Sequence, residues 1–284
     1  MKRGLVLEGG AMRGMFTAGV LDIFMENNIF PDGTVGVSAG AAFGCNLKSR
    51  QRGRTIRYNV RFARDPRYAS WRSLFLTGDM YNRSFCYDII PNKLDPFDAS
   101  TFAADPMAFY VVATDVETGK ARYHLCHNGL KNDLLWIQAS ASMPLVSKPV
   151  EADGYRLLDG SIGDSIPLRF MEEKGYERTV VILTRPRRYR KEPFSGRTLA
   201  GLRIALHAMP AVYEALKTRA ARYNAELEYV ERQEAAGRIL IVRPQENLQI
   251  GSLEHDPREK IRVYQAGRRA GLLQLEKIRS FYEL

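Results

Sequence analysis

The sequence predicts an α/β fold, with a mainly parallel central sheet covered by helices and a helical C-terminal extension. Short apolar runs rich in β-branched residues alternate with helix-like stretches through the first part of the chain. Two of these runs lead directly into glycine-containing turns that open a helix. From about residue 198 onward the sequence is mostly helical. Strands that alternate with helices are typical of parallel sheets covered on both faces.

The predicted elements follow in chain order. The strand Leu5–Leu7 leads into a helix at about Met12–Asn27, and the strand Thr34–Val37 leads into a helix at about Ser38–Ser49. Later strands are expected at residues 109–114, 121–125, 155–158, 179–183 and 239–242. Short runs of this kind, bounded by polar or glycine-containing turns, indicate buried strands.

Two helices are predicted in the C-terminal part. Apolar residues recur there at steps of 4, 4, 3, 4 and 3, which places them on one helical face that we assign to core packing: Val212, Leu216, Ala220, Tyr223, Leu227 and Val230. A further helix is expected at about Pro257–Phe281. We divide the chain into residues 4–195 and a helical extension, 196–284, packed on the same domain.

Composition and charge limit the class of protein. Hydrophobic residues make up 45% and charged residues 26%, which is typical of a globular protein. No apolar run reaches the roughly 18 residues that span a bilayer, and the stretch after Arg3 ends at Glu8, too soon for a signal peptide. Three widely spaced cysteines without a CxxC pair argue against a disulfide framework or a zinc site. We therefore expect a cytoplasmic protein.

The net charge of +10 would attract polyanions, among them nucleic acid and anionic lipid. No helix-turn-helix, zinc-finger or RNA-binding aromatic pattern favours nucleic acid. Charge alone does not decide between these partners.

A GxSxG sequence, Gly36 to Gly40, stands between a β-branched run and a helix-like stretch. This is the strand–turn–helix context of a nucleophile elbow, where a strained serine projects from a sharp turn at a helix N-terminus. Ser38 is therefore a candidate nucleophile. A glycine-rich turn that only packs a helix against a strand is the structural alternative.

A glycine-rich loop follows the first strand: Gly9, Gly10, Ala11, Met12, Arg13 and Gly14. Such a loop can turn backbone N–H groups toward a developing oxyanion. A dinucleotide loop is the rival, but Ala11 stands where the GxGxxG pattern requires its middle glycine. No GK[ST] sequence follows, which excludes a Walker loop.

The base for Ser38 is better supplied by an aspartate than by a histidine. His124 and His127 precede the candidate acid, and His207 and His255 carry no local features of a catalytic histidine. Asp159 follows a predicted strand, at the sheet edge where active sites of α/β proteins gather. It would act as a base if it were desolvated beside the serine. An ordinary Asp-Gly turn is the alternative.

Together these three elements, in this order, resemble the patatin-like phospholipases. The family pattern is a loop of the form GGGxRG, then GxSxG, then DG[GA], and here the last motif is Asp159-Gly160-Ser161. The segments 113–119 and 139–144 also look like the family. The resemblance covers about residues 4–170 and implies a three-layer α/β/α fold.

What the resemblance implies is a Ser–Asp dyad, without metal or cofactor, that cleaves carboxyl esters of phospholipids or lysophospholipids. Ser38 would form an acyl-enzyme, Asp159 would accept its proton, and N–H groups around Gly10 and Ala11, with Arg13, would hold the oxyanion. Asp115 matches a framework position. Two departures bear on activity: Ala11 replaces the third glycine of the loop, and Ser161 replaces the Gly or Ala of the acid motif.

Two basic segments complete the candidate sites. One set of arginines falls at steps of 4, 3, 4 and 3, which would line one helical face as a docking surface for anionic lipid at the inner membrane: Arg50, Arg54, Arg57, Arg61 and Arg64. A solvated charged face is the alternative. The segment Arg185–Lys191 is expected to be an exposed loop.

Three other functions stay open. An acyltransferase of the same architecture would pass the acyl group to an alcohol instead of water. A catalytically inactive protein of this fold would bind lipid or nucleotide without cleaving it, and its ligand binding would be unaffected by Ser38→Ala. A nucleic-acid binder would show steep salt dependence. The oligomeric state is left open.

Overall fold

A computed structural model describes residues 1–284, and its centre is an eight-stranded mixed sheet. The strands are β1 (Arg3–Leu7), β2 (Gly33–Val37), β3 (Ala108–Asp115), β4 (Ala121–Cys126), β5 (Val150–Ala152), β6 (Tyr155–Asp159), β7 (Arg178–Ile182) and β8 (Ile239–Val242). Seven of them lie in the order β5-β6-β3-β2-β1-β7-β8, and β4 pairs with β3. The five neighbouring strands β3, β2, β1, β7 and β8 are parallel to one another. Strands β4 and β6 are antiparallel to β3, and β5 is antiparallel to β6. The predicted α/β class is confirmed; β5, with three residues, was not predicted.

Helices cover both faces of the sheet. They are α1 (Gly14–Glu26), α2 (Ala39–Lys48), α3 (Arg54–Arg61), α4 (Trp71–Thr77), α5 (Ala99–Ala104), α6 (Lys131–Ser140), α7 (Leu168–Glu173), α8 (Gly196–Ala205), α9 (Pro210–Ala235), α10 (Pro257–Leu273) and α11 (Leu275–Tyr282). A π-helical segment spans Phe85–Leu94, and 3-10 turns span Ala11–Arg13 and Gly160–Ile162. No helix is both long enough and apolar enough to cross a bilayer.

The two faces of the sheet bury different side chains because successive residues of a strand point to opposite sides. Leu5 and Leu7 of β1 pack into the core formed with α1, α2 and α10. Val6, between them, packs into the core beneath α7 and α9. Both faces of β1 are thus fully buried, as expected for a central parallel strand.

The C-terminal helices pack on the body of the fold. All six apolar residues of the predicted α9 stripe are buried, which confirms that prediction. Helix α10 crosses α1 so closely that a Cβ on Gly19 would overlap the carbonyl oxygen of Tyr264. The helix predicted at 257–281 is instead two helices, separated at Gln274. The division of the chain at residue 195 stays a prediction.

Candidate active site

Ser38 lies in a tight turn between β2 and α2. Its backbone has φ 54° and ψ −120°, a conformation that is strained for any residue with a Cβ. The turn closes because its flanking glycines allow close approach: a Cβ on Gly40 would overlap the carbonyl oxygen of Leu7, and one on Gly36 would lie 2.7 Å from the nitrogen of Ala41. This strained turn between a strand and a helix holds the serine oxygen at the carboxyl edge of the sheet, and its role as a nucleophile elbow stays a prediction.

Strand pairing brings Asp159 to Ser38. Residues 108–112 of β3 pair with β2, and the next residues of β3 pair with β6, so that Asp159 pairs with Ala113. Strand β6 thus continues the line of β2 just beyond its last residue, Val37. The hydroxyl of Ser38 donates a hydrogen bond of 2.7 Å to Oδ2 of Asp159. Two residues 121 positions apart in the sequence meet in this way.

The carboxylate of Asp159 is held on its other side by Ser161. Oδ1 accepts hydrogen bonds from the backbone N–H of Ser161 at 2.8 Å and from its hydroxyl at 2.6 Å. Complete burial raises the pKa of Asp159 above its usual value, and the hydrogen bonds from Ser161 and Ser38 oppose that rise. A carboxylate with a raised pKa is a stronger base than one in water.

Two further side chains anchor the turns that carry Ser38 and Asp159. The hydroxyl of Ser140, at the end of α6, accepts a hydrogen bond of 2.8 Å from the backbone N–H of Ser38. The hydroxyl of Thr114 donates one of 2.7 Å to the carbonyl of Asp159. Both lie in the segments 113–119 and 139–144 that resembled the family, but sequence alone assigned them no contact. Asp115 forms an ion pair of 2.8 Å with Arg122.

The glycine-rich loop lies against the serine: a Cβ on Gly9 would be 2.9 Å from the Cβ of Ser38. Ala11 adopts φ 47°, the left-handed conformation in which a Cβ costs energy. The N–H groups of Gly10 and Ala11 donate to no backbone carbonyl. Gly14 begins α1 behind them, packed against Ala39 and Phe43. Free donors thus lie beside the Ser38 turn.

Two charged side chains lie in or next to this loop: Glu8 is buried and Arg13 is half-buried. Glu8 accepts hydrogen bonds from the backbone N–H of Thr184 at 2.5 Å and from the hydroxyl of Tyr223 at 2.7 Å, which tie the loop to β7 and α9. Nε of Arg13 is buried without a hydrogen-bond partner. Burial, and then Arg185, lower the pKa of Arg13. An anion at this place would therefore be attracted to Arg13.

A cavity of about 590 Å³ opens beside Ser38 and Asp159. One part of its lining is apolar and comes from α2, α3, the π-helical segment, α6 and the chain after α6. Its members include Ala42, Phe43, Tyr58, Ile90, Ile137 and Leu145. Such a lining suits a hydrocarbon chain.

Another part of the lining is cationic, and the sequence did not indicate it. Arg185, Lys191 and Arg219 line the cavity together with Arg13. Within the segment predicted as an exposed loop, only Arg187, Arg188 and Arg190 are exposed, whereas Arg185 and Lys191 are half-buried. None of these four lining residues forms an ion pair, unlike Arg54, which also lines the cavity and is paired with Asp95. Burial, and the nearby Arg219, lower the pKa of Lys191 to about 8.

Arg219 joins the C-terminal helices to the Asp159 turn. From α9 it donates hydrogen bonds to the backbone carbonyl of Ser161 at 2.8 Å and to its hydroxyl at 2.6 Å. The hydroxyl exists because serine stands where the family pattern has Gly or Ala. The sequence showed this serine, but it did not show that Arg219, 58 residues away, is the hydrogen-bond partner of its hydroxyl.

The histidines lie elsewhere. None lines the cavity; the ring of His124 hydrogen-bonds Asp133 at 2.8 Å and stacks on Trp136. Ligand atoms of His124, Cys126 and Asp133 lie within 4.8 Å of one another, a cluster that the sequence analysis did not identify. Asp133 also accepts hydrogen bonds from the backbone N–H groups of residues 127, 128 and 129, so its carboxylate stabilises that loop.

Four of the five arginines of the predicted basic face, Arg50, Arg57, Arg61 and Arg64, are exposed and Arg54 is buried, and the lipid-docking role of this face stays a prediction. Arg50 precedes α3 and forms an ion pair with Asp105. Arg54 is buried and lines the cavity, and it shares Asp95 with Arg57. Arg61 and Arg64 are exposed, and Arg61 hydrogen-bonds the carbonyl of Leu94. The 94–105 segment supplies acidic or carbonyl partners to four of these arginines, and it buries Arg54, which helical periodicity did not predict.

Comparison with known proteins identifies the family to which this chain belongs. The family model of patatin-like phospholipases matches residues 5–171, more than half of the chain, and the chain belongs to this family. A second model, for a domain of unknown function (DUF6363), matches residues 209–283.

Relatives of known sequence are longer than this chain. An uncharacterized protein of Escherichia coli, YjjU, is 32% identical over 64% of this chain and 52% of its own length. Lysophospholipase nte1 of Emericella nidulans is 26% identical over 98% of this chain, which spans 18% of that protein. Among solved structures, VipD of Legionella pneumophila aligns over 97% of this chain and 67% of its own, at 12% identity and a TM-score of 0.47.

Proposed function

We propose that this protein is a serine hydrolase of lipid carboxyl esters, with Ser38 as nucleophile and Asp159 as base. The observation that carries the proposal is the 2.7 Å hydrogen bond from the hydroxyl of Ser38 to Asp159, formed in a strained turn beside a largely apolar cavity. No histidine shares that cavity, so Asp159 is the group available to take the proton.

The chemistry runs through an acyl-enzyme. Oγ of Ser38 attacks the ester carbonyl carbon as its proton passes to Oδ2 of Asp159, and that proton then goes to the departing alcohol. A water molecule next attacks the acyl group, gives a proton to Asp159, and the proton returns to Oγ as the fatty acid leaves. The free N–H groups of Gly10 and Ala11, assisted by Arg13, stabilise the oxyanion of both tetrahedral intermediates.

The cavity supports a phospholipid or lysophospholipid as substrate. Its apolar lining suits an acyl chain, and the cations Arg13, Arg185, Lys191 and Arg219 suit the phosphate of a headgroup. Because these cations have no carboxylate partners, a phosphate would gain charge-assisted hydrogen bonds without breaking existing ion pairs. A relative that shares 26% identity is named a lysophospholipase.

Labelling with a fluorophosphonate tests the assignment without knowledge of the substrate. Intact mass should show one adduct on the native protein, none on Ser38→Ala, and much slower labelling of Asp159→Ala. Ser147→Ala is the matched control, because Ser147 also lines the cavity; it should label as fast as the native protein. An adduct that survives Ser38→Ala would refute the choice of nucleophile.

Product analysis then separates hydrolysis from acyl transfer. With a lysophospholipid in water, release of free fatty acid should equal the loss of substrate. Appearance of the acyl chain on an added alcohol in preference to water would instead identify an acyltransferase.

A further inference from the structure

Helix α4 exposes an unusually apolar face. Trp71, Phe75 and Leu76 are 63%, 85% and 73% exposed. Trp71 and Phe75 are four residues apart and so lie on the same side of the helix. Local hydrogen bonds close both ends of α4: the hydroxyl of buried Ser73 donates to the carbonyl of Asp79 at 2.7 Å, and Ser70 caps the first turn. Three large apolar side chains of one short, capped helix are thus exposed to solvent.

This face adjoins the rim of the cavity. The strand-like segment after α4 is joined to the chain after α6 by a hydrogen bond of 2.8 Å from the N–H of Met80 to the carbonyl of Val146, and both residues line the cavity. Leu145, next to Val146, lines the cavity and is also 53% exposed. The segment that follows α4 therefore lies at the rim of the cavity, close in the fold to the exposed Leu145.

Cations accompany the apolar side chains. Arg72 is exposed on α4 itself, and exposed Lys148 lies against Gly78 at the C-terminus of the helix. Neither forms an ion pair. A tryptophan and other large apolar groups with adjacent free cations are the combination by which amphipathic helices lie in the interface of an anionic bilayer.

We propose that α4 is a lipid-surface anchor: Trp71, Phe75 and Leu76 insert among the acyl chains of an anionic membrane, while Arg72 and Lys148 contact its phosphates. The anchor presents the cavity to the membrane surface, so that a lipid reaches Ser38 along the rim at Leu145. Binding at α4 requires no catalysis, so it is tested separately from the proposed hydrolysis.

The two tryptophans provide the measurement, since Trp71 is exposed and Trp136 is buried. Vesicles of phosphatidylcholine mixed with phosphatidylglycerol should shift the emission of Trp71 to shorter wavelength, and phosphatidylcholine alone should shift it less. In Phe75→Ser/Leu76→Ser, vesicle co-sedimentation should weaken by about tenfold or more. Hydrolysis of a water-soluble ester should remain at the native rate.

Ile204→Ser/Leu273→Ser is the matched control, because these residues are 76% and 75% exposed elsewhere on the surface; it should bind vesicles as the native protein does. Equal vesicle binding by the native protein and the α4 variant would overturn the proposal. So would a blue-shifted Trp71 in the absence of lipid together with dimeric elution, since that result would show that a second copy of the chain covers this face.

Discussion

The guanidinium of Arg219 donates a 2.6 Å hydrogen bond to the hydroxyl of Ser161, whose own proton is donated to Asp159 at 2.6 Å. Arg219 belongs to α9, outside the part of the chain that matches the patatin-like model. A helix of the C-terminal region therefore polarises the group that stabilises the ionised form of Asp159. The proposed base therefore depends on both regions of the chain, because Ser161 donates to Asp159 and Arg219 of α9 donates to Ser161.

Ser161→Ala tests this arrangement through the pH dependence of activity. As the proposed base, Asp159 must be ionised, and loss of a donor to the carboxylate destabilises that form, so its already raised pKa should rise further. A hydrogen bond to a charged group contributes about 1.5–3 kcal/mol, so the acidic limb of the kcat/KM profile should move up by about one to two pH units. Ser147→Ala should leave the limb in place.

Arg219→Met should move the same limb in the same direction by a smaller amount, because Arg219 also lowers the pKa of Asp159 directly. If Arg219 acts mainly through Ser161, the double variant should resemble Ser161→Ala. An acidic limb that is unchanged in both single variants would show that the two residues only support the fold.

Ala11→Gly should stabilise the protein. Ala11 has φ 47°, which costs an alanine about 1–2 kcal/mol, whereas glycine loses about 0.5–1 kcal/mol more chain entropy on folding. The net gain of about 0.5–1 kcal/mol should raise Tm by about 1–3 °C in a thermal melt. Ala11→Val, which adds a β-branch at the same φ, should lower Tm. A lower Tm for the glycine variant would mean that the alanine methyl makes contacts that outweigh the strain.

Local patterns predicted the elements of this fold well because strands and helices depend on neighbouring residues. The motifs that made Ser38 and Asp159 candidates for the dyad are also contained within a few residues each. The contact between Ser38 and Asp159 could not be predicted locally, because it depends on β2 and β6 pairing with the same strand, β3. Ser140 and Arg219 likewise reach the site from helices that are distant in the sequence. The burial of Arg54 was missed for the same reason, since helical periodicity contains no information about the Asp95 that packs opposite.

Ala42→Phe should change the preference for acyl-chain length. Ala42 lies one helical turn after Ser38 on α2, and it lines the apolar part of the cavity. A phenyl ring at this position would occupy space next to the reacting serine, where methylene groups of a long chain would pack. The ratio of kcat/KM for long-chain to short-chain p-nitrophenyl esters should fall by about tenfold or more. Ala42→Ser should keep the native ratio; an unchanged ratio in the phenylalanine variant would place the acyl chain elsewhere.

Lys191→Met tests the cationic part of the cavity as the phosphate site. The ratio of kcat/KM for a lysophospholipid to that for a monoacylglycerol should fall by about tenfold, the value of one charge-assisted hydrogen bond. Arg187→Gln is the control, because Arg187 is exposed on the same segment and does not line the cavity.

The pH dependence of that ratio gives a second readout. Burial, the cations Arg219, Arg13 and Arg185, and the opposing Glu8 hold the pKa of Lys191 at about 8. Lys191 is charged below that pH and neutral above it, so the preference for the phosphate-bearing substrate should decline as pH rises through about 8. Because methionine does not titrate, the variant should lack this decline. A decline of equal size in Lys191→Met would assign the effect to another group and remove Lys191 from the phosphate site.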